Sequence, residues 1–203
     1  MGEVWAVRDH HLQSVMAMKV VRTDREVTDD LRSRFVAEAQ ATAQLQHPGI
    51  VPVHELGMLE NGQIFFTMEL VQGRTLTRLL DELHADSRRL GRWGTAVGFS
   101  FRRLLTAMHQ ATQAVAYAHA RGVLHRDLKP DNIMLGDFGE VRVLDWGLAR
   151  LTGRRVSDTG DDDASLPPIT APPRPRTFVG TVSGTPSHMA PEQAWGPTDE
   201  IGA

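Results

Sequence analysis

The sequence predicts an α+β fold, with strands in the N-terminal part of the chain and helices in the remainder. Residues 3–8 and 15–22 alternate or stay apolar, which is typical of two paired strands. Residues 64–71 form a further apolar run, and the sequence Glu-Asn-Gly-Gln at residues 60–63 predicts a hairpin turn before it. Residues 102–121 instead repeat apolar side chains every three or four positions, which is the period of a helix.

The composition is that of a globular protein and excludes several kinds of site. With 203 residues, of which 41% are hydrophobic and 23% charged, the chain can bury a substantial core. A net charge of −3 gives no reason to expect nucleic acid or an anionic membrane as a partner. The sequence has no cysteine, which excludes disulfides and thiolate zinc sites. It also has no secretory leader and no apolar run near the ~18 residues of a membrane helix, so we expect a cytoplasmic protein with no membrane segment in this chain.

Two charged residues stand out in the predicted N-terminal elements. The second strand carries Lys19, although a lysine on a strand is most often simply solvated. Residues 29–45 have apolar side chains at broadly helical spacing, which predicts a helix that carries Glu38. Pro48 ends this helix, because proline disfavours helical backbone in the residue before it.

The sequence predicts two helices between residues 75 and 121, and the second has the stronger helical pattern. Residues 75–83 predict a short helix, and residues 84–101, which contain several Arg and Gly, predict an exposed connection. The next helix, residues 102–121, ends at Gly122, a typical C-terminal cap. Its periodic apolar positions are Leu105, Met108, Ala111, Val115 and Ala118.

The residues with the most distinctive chemistry lie between positions 125 and 147. This stretch begins with the sequence HRDLKPDN, continues with a short hairpin pattern and ends with Asp-Trp-Gly. Asp127 offers a proton acceptor, Lys129 a compact cation, and Asn132 and Asp145 oxygen ligands for Mg²⁺. Phosphoryl transfer to a hydroxyl requires groups of these types.

An Asp-Phe-Gly triplet at residues 137–139 competes with Asp145 as the metal-binding sequence. It lies only five residues after Asn132, between two strand-like apolar runs at residues 133–135 and 141–144. Because Asp and Gly prefer turns, this triplet predicts the turn of a hairpin rather than a metal ligand.

The motifs at residues 125–132 and 145–147 resemble the catalytic and metal-binding loops of eukaryotic-type (Hanks-type) serine/threonine protein kinases. The resemblance implies an incomplete bilobal protein-kinase-like fold. A small β-rich N-terminal lobe with one αC helix would occupy residues 1–72, and a mainly helical C-terminal lobe would occupy residues 73–203. The N-terminal lobe would lack the first strand and most of the glycine-rich loop of the family.

The same resemblance implies the chemical roles. Asp127 would receive the proton of a Ser or Thr hydroxyl on a protein substrate, and Lys129 would steady the γ-phosphate of ATP. Asn132 and Asp145 would hold Mg²⁺. Lys129, in place of the Arg-containing variant usual in tyrosine kinases, favours a serine/threonine kinase.

The resemblance also implies a nucleotide site in the N-terminal lobe. Lys19 matches the family lysine that binds the α- and β-phosphates, and Glu38 matches its glutamate partner. Met68 would be the gatekeeper, and backbone groups from Glu69 to Val71 would contact the adenine. The family pattern adds contacts from Gly2, Val4, Ala17 and Met134.

Lysine usage fits these assignments. The 22 basic residues comprise 20 Arg and only two Lys, which are Lys19 and Lys129. A planar guanidinium cannot replace a compact ammonium in a tight phosphate site.

The segment after the metal-binding loop predicts regulation. Residues 152–176 form a polar insertion, rich in Pro and Asp, that we expect to be disordered. It stands where the family has its activation segment, and Arg126 could pair with a phosphorylated residue there, which allows self-phosphorylation. We expect Thr185 to lie near Asp127 as part of the substrate platform. The candidate phosphorylation sites are Thr177, Thr181 and Ser183.

A second interpretation is a catalytically impaired kinase fragment or a pseudokinase-like nucleotide-binding or scaffold module. The missing parts of the family domain favour it. Asp127 and Lys129 speak against it, because a scaffold has no chemical need for both.

Overall fold

A four-stranded antiparallel sheet begins the fold. The computed structural model describes residues 2–22, 28–90, 101–151, 169 and 184–195. Its strands, in chain order, are β1 (Glu3–Asp9), β2 (Ser14–Val20), β3 (Val53–Met58) and β4 (Ile64–Glu69). In space they follow the order β1-β2-β4-β3, so the predicted strand pair and the predicted hairpin are both present.

One helix, α1 (Asp29–Ala43), packs against this sheet. Thr28 caps its N-terminus, since its hydroxyl accepts a hydrogen bond from a first-turn backbone N–H at 3.3 Å. Phe35 is buried, and its ring centre lies 5.0 Å from that of Phe66 in β4. Glu38, three residues after Phe35, lies on the same side of the helix and is also buried.

Two longer helices and several short strands form the rest of the fold. The helices are α2 (Leu76–Leu90), α3 (Phe101–Ala120) and the short α4 (Pro191–Trp195). The strands are β5 (Arg74–Thr75), β6 (Val123–Leu124), β7 (Ile133–Leu135), β8 (Val141–Val143) and β9 (Arg150–Leu151). Three of them form a sheet of order β5-β7-β8, and β6 pairs with β9.

The core of this part lies directly beneath the candidate site. Leu79 of α2, Val123 of β6 and Val143 of β8 are almost completely buried, as is Ile50. Since β6 leads into residues 125–132 and β8 leads to Asp145, the same packing holds both chemically distinctive loops.

Helix α2 is longer than the sequence predicts. It continues to Leu90, so residues 84–90 are helical and the prediction of an exposed connection is wrong there. Arg88 and Arg89 stand in the last turn, where positive charge complements the helix dipole. Residues 91–100 lie outside the described ranges.

Helix α3 is confirmed. Two of its predicted apolar positions, Ala111 and Ala118, are buried, whereas its large residues Leu105 and Met108 are not. Leu105 and Met108 are 55% and 45% exposed. Small side chains instead allow the helix to approach its neighbours closely. Gly122 has a φ of +73° and its N–H donates to the His119 carbonyl at 2.8 Å, which confirms the cap. The buried positions of the helix are Ala107, Ala111, Ala114 and Ala118.

One residue of the insertion that the sequence predicts to be disordered, residues 152–176, lies within the described ranges. This residue is Ile169, and its side chain is buried in the same core as Val123. The disorder of the insertion stays a prediction.

Among the helices in the described parts of the chain, none combines the length and the apolar character needed to cross a membrane.

Candidate active site

His125 joins the two loops of the site. Its Nε2 lies 2.9 Å from the Leu144 carbonyl and donates to it, while Nδ1 accepts the Asp127 N–H at 3.3 Å. The ring packs on Trp146 with 4.6 Å between ring centres. Burial lowers the pKa of His125, so the ring is neutral and can make both bonds. The motif pattern of the sequence does not predict this role for His125.

The Asp127 carboxylate holds a hydroxyl and an ammonium group. Its Oδ1 accepts hydrogen bonds from both the backbone N–H and the hydroxyl of Thr185, each at 2.8 Å. Its Oδ2 lies 3.0 Å from Lys129 Nζ, which also donates to the Thr185 hydroxyl at 2.8 Å. Burial alone would raise the pKa of Asp127, but these bonds outweigh it and lower the pKa. The expected proximity of Thr185 to Asp127 is confirmed.

Asn132 is fixed by bonds at both its side chain and its backbone. Its Nδ2 donates to the Asp127 carbonyl at 2.8 Å, and its own carbonyl accepts the Leu144 N–H at 2.8 Å. Because the amide nitrogen is engaged, the amide oxygen is the end that remains for a cation. Asp145 supplies a second oxygen ligand, and its side chain is 48% exposed. Both are ligands that Mg²⁺ accepts, so the residues present fit this ion.

The backbone presents Asp145 in an unusual conformation. Its φ is +56°, in the left-handed region that is uncommon for residues other than Gly. Among the described residues, no group of three His, Cys, Asp or Glu side chains is placed to hold a metal ion by itself. A cation at Asn132 and Asp145 would therefore need further oxygen ligands, as Mg²⁺ usually obtains from water and substrate phosphates.

Lys19 connects the sheet, the helix and the metal-binding loop. Its Nζ lies 2.5 Å from Glu38 Oε1 and 3.3 Å from Asp145 Oδ1. Burial alone would lower the pKa of Lys19, but the charges of the two carboxylates outweigh it and raise the pKa. The expected pairing of Lys19 with Glu38 is thus present, and the lysine is held as a cation beside Asp145.

Two glycines permit this close packing. A Cβ on Gly147 would lie 3.0 Å from Asp145 Oδ1 and 3.2 Å from Glu38 Oε2. A Cβ on Gly2 would lie 2.6 Å from the Val20 carbonyl oxygen, closer than real Cβ atoms approach. A larger residue at either position would displace its neighbours.

The remaining predicted nucleotide contacts lie along the strands. Val4 pairs with Lys19, and the buried Ala17 pairs with Met68. Met134 lies in β7 and is partly buried. The structure therefore lines up three of these predicted residues beside Lys19, while their contact with a nucleotide stays a prediction.

Glu69, the last residue of β4, already makes hydrogen bonds within the protein. The Glu69 N–H donates to the Pro52 carbonyl at 3.2 Å. The Glu69 carboxylate accepts two bonds from Arg142, at 3.1 and 3.3 Å. The predicted adenine contacts would therefore use other backbone groups between Glu69 and Val71, which is partly buried.

A cavity of about 290 Å³ lies on the other face of the sheet. Met18 and Val20 line it, and they alternate with Lys19 along β2. Successive residues of a strand point to opposite faces, so this cavity is separate from the Lys19 site.

Arg126 directly precedes Asp127 and has a strained conformation, with a φ of +66°. Burial, and then the positive charge of Arg150, lower the pKa of its guanidinium. Its Nε is buried and has no hydrogen-bond partner among the residues that the structure describes. The three residues predicted to be phosphorylated lie outside the described ranges: Thr177, Thr181 and Ser183.

The competing triplet at residues 137–139 forms the β7–β8 turn, as predicted. The Gly139 N–H donates to the Gly136 carbonyl at 3.3 Å, and Gly139 has a φ of +97°. Phe138 is 98% exposed. This triplet takes no part in the site.

Comparison with known families decides the identity of the fold. A family model described as the protein kinase domain matches residues 1–198. The chain belongs to the protein kinase domain family. Members of this family use ATP and Mg²⁺ for phosphoryl transfer.

Individual relatives of this kinase chain are bacterial serine/threonine-protein kinases. It is 36% identical over 198 residues to PknD of Protochlamydia amoebophila. It is 38% identical over 199 residues to PknD of Chlamydia pneumoniae and 37% identical over 202 residues to PknD of Chlamydia caviae. Each comparison covers 97% of this chain but 20% of the relative, so the chain spans about a fifth of the length of these proteins.

Proposed function

We propose that this chain carries out ATP-dependent phosphorylation of Ser and Thr hydroxyls on proteins. The observation that best supports the proposal is the threonine hydroxyl held between Asp127 and Lys129. Thr185 Oγ1 lies 2.8 Å from both Asp127 Oδ1 and Lys129 Nζ. A substrate hydroxyl in the same position would meet a proton acceptor and a cation together.

In the proposed reaction, Asp127 orients the acceptor hydroxyl and takes its proton. The hydroxyl oxygen forms a bond to the γ-phosphorus, the bond from that phosphorus to the β–γ bridging oxygen breaks, and ADP leaves. The lowered pKa makes Asp127 a weak base. Its main contribution would therefore be to orient the hydroxyl, with the proton transferred as the new bond forms.

Basic groups and oxygen ligands would balance the phosphate charge. Lys129 would steady the γ-phosphate, and Lys19, positioned by Glu38, would bind the α- and β-phosphates. Mg²⁺, held by Asn132 and Asp145, would neutralise part of the negative charge that the phosphates carry.

We further propose two lobes, residues 1–72 and 73–203, with the site between them. Arg126 supports a regulatory site, because its partly buried guanidinium lies near the positive charge of Arg150 and could donate hydrogen bonds to a phosphate group. That phosphate would be carried by Thr177, Thr181 or Ser183. Self-phosphorylation would supply that phosphate.

We also propose a cytoplasmic location, where ATP is available.

The test is incubation of the chain with Mg·ATP, followed by intact mass and peptide mapping. We expect phosphate on Ser or Thr residues of the wild type and no phosphate on Asp127→Asn. Asp137→Asn is the matched control, since it makes the same change in the exposed β7–β8 turn, and it should behave as the wild type. Phosphate on Asp127→Asn at the wild-type rate would contradict the proposal.

A nucleotide-binding module without phosphoryl transfer is the second candidate. The observation that favours it is that the Thr185 hydroxyl is hydrogen-bonded to both Asp127 and Lys129, at the position that a substrate hydroxyl would need. Its signature would be saturable ATP binding by a folded chain that transfers no phosphate to itself or to a generic acceptor protein.

A further inference from the structure

Gln193 of α4 makes a buried contact with the catalytic loop, residues 125–132. Its side chain is 8% exposed, and its Nε2 donates to the Arg126 carbonyl at 2.7 Å. Arg126 directly precedes Asp127 in the sequence, and 67 residues separate it from Gln193. The bond therefore connects the end of the segment 184–195 with the backbone at the proposed proton acceptor.

The Arg126 backbone needs support from outside the loop. Its left-handed conformation, with a φ of +66°, is unfavourable for a residue other than Gly and persists only where surrounding contacts compensate. Gln193 holds the carbonyl on one side of Asp127, and Asn132 Nδ2 holds the Asp127 carbonyl on the other side at 2.8 Å. Two side-chain amides thus brace successive peptide groups around the carboxylate.

Gly184 brings the rest of the segment to the same point. A Cβ on this glycine would lie 2.7 Å from Gln193 Nε2 and 3.2 Å from the Arg126 carbonyl oxygen. Gly184 is followed by Thr185, whose N–H and hydroxyl both bind Asp127. The Gln193 amide is therefore packed where the segment and the catalytic loop meet.

We infer that Gln193 is a positioning residue that holds Asp127 in place through the Arg126 carbonyl. The inference rests on the proposed kinase function. A side chain with an N–H donor is required, because the group it faces is a carbonyl oxygen. Glutamate of the same size presents only acceptors when ionised, and methionine fills a similar volume with no donor.

The experiment compares Gln193→Met and Gln193→Glu with the wild type in the full chain. Gln63→Met is the matched control, because Gln63 Nε2 also donates to a backbone carbonyl, that of Val21, at 3.2 Å in the sheet. We measure kcat and the KM for ATP, corrected for the fraction of chains that bind ATP. We also measure hydrogen exchange of the two peptides that contain Asp127 and Thr185.

We expect kcat to fall about tenfold to a hundredfold in both Gln193 variants, since a displacement of about 1 Å at a reacting group costs this much. The KM for ATP should be unchanged, because the proposed nucleotide contacts lie elsewhere. Exchange of the Asp127 and Thr185 amides should be faster than in the wild type, and Gln63→Met should match the wild type in all three measurements.

Two results would overturn the inference. One is a wild-type kcat per ATP-binding chain in both variants, which would leave Gln193 a merely structural role. The other is unchanged exchange of the Asp127 and Thr185 amides. If the wild type itself transfers no phosphate, the proposed function fails, and exchange alone decides whether Gln193 positions the loop.

Discussion

At the residue scale, the site consists of charges that hold one another in place. Lys19 has two carboxylate neighbours, and Asp127 has Lys129 and Thr185. Each side chain is partly withdrawn from water, which would oppose its charge, and each is kept charged by its neighbours. Both lysines of the sequence are therefore in ion pairs, and the reactivity of their amines can report on those pairs.

Acylation of amines should report directly on the Lys19 ion pair. Only uncharged amines react, so the raised pKa of Lys19 should make it acylate slowly near neutral pH. Glu38→Gln removes the nearer carboxylate, lowers the pKa of Lys19 and should speed its acylation, as measured by peptide mapping. The N-terminal amine is the internal standard. Glu69→Gln, at a carboxylate that pairs with Arg142 instead, should leave the Lys19 rate unchanged, and equal acceleration in both variants would contradict the description.

The acid dependence of stability should reflect Asp127. Its pKa is lowered in the folded state, so its contribution to stability is fully present above the unfolded value of about 3.9 and is lost as the pH falls through the lowered pKa. Asp127→Asn should therefore be less stable than the wild type at pH 7, and the difference should shrink below about pH 4. Thermal unfolding from pH 7 to pH 3 measures this, with Asp137→Asn as control. A difference that stays constant with pH would show that Asp127 is not responsible.

The residue-scale features that the sequence could not provide are set by tertiary contacts. The sequence motifs predict Asp127, Asn132 and Asp145 as site residues, because the proposed phosphoryl transfer needs those side chains. They do not reveal the positive φ of Arg126 and Asp145, since residues other than Gly adopt it only where surrounding contacts compensate. The bond from Gln193 to Arg126 was likewise not predicted, because it joins distant parts of the chain.

At the element scale, periodicity locates the helices but does not decide which face is buried. In α3 the large residues Leu105 and Met108 face outward, and alanines form the buried face. A pattern of hydrophobic residues cannot distinguish these cases, because it weights large side chains most. The end of α2 was underestimated for a related reason: its last turns are polar and carry no apolar period.

The alanine face of α3 leads to a stability prediction. Ala114 is 0% exposed, and the Gly49 backbone approaches so closely that a Cβ there would lie 2.8 Å from the Ala114 Cβ. Ala114→Leu should therefore lower the free energy of unfolding by about 1–3 kcal/mol through overpacking. Ala116→Leu, the same change on the exposed side of the helix, should stay within about 0.5 kcal/mol of the wild type. Urea unfolding midpoints measure both, and equal effects would mean that the buried face is assigned wrongly.

At the scale of the whole molecule, the sequence predicts the order of the strands and helices, because the kinase-like motifs occur at known points between them. Lys19 ends up beside Asp145 although 126 residues separate them. Other contacts join the four-stranded sheet to the rest of the fold, and these cannot be predicted from the sequence because they involve no motif residue. Arg142 of β8 is one such contact: it binds the Glu69 carboxylate at the end of β4 and also donates to the Pro48 carbonyl.

A double-mutant cycle on Arg142 and Glu69 should measure how strongly this contact holds the two regions together. The pair is partly exposed, so we expect a coupling of about 0.2–1 kcal/mol in the free energy of unfolding. Arg142→Gln should lower the free energy of unfolding more than Glu69→Gln does, because Arg142 also donates to the Pro48 carbonyl.

The pair Arg34 and Asp30, one turn apart in α1, is the control for a purely local ion pair. Coupling weakens with salt in both pairs, but only disruption of Arg142 should also speed hydrogen exchange in both β4 and β8. If exchange in the two strands is unchanged in Arg142→Gln, the contact does not join the two parts of the molecule.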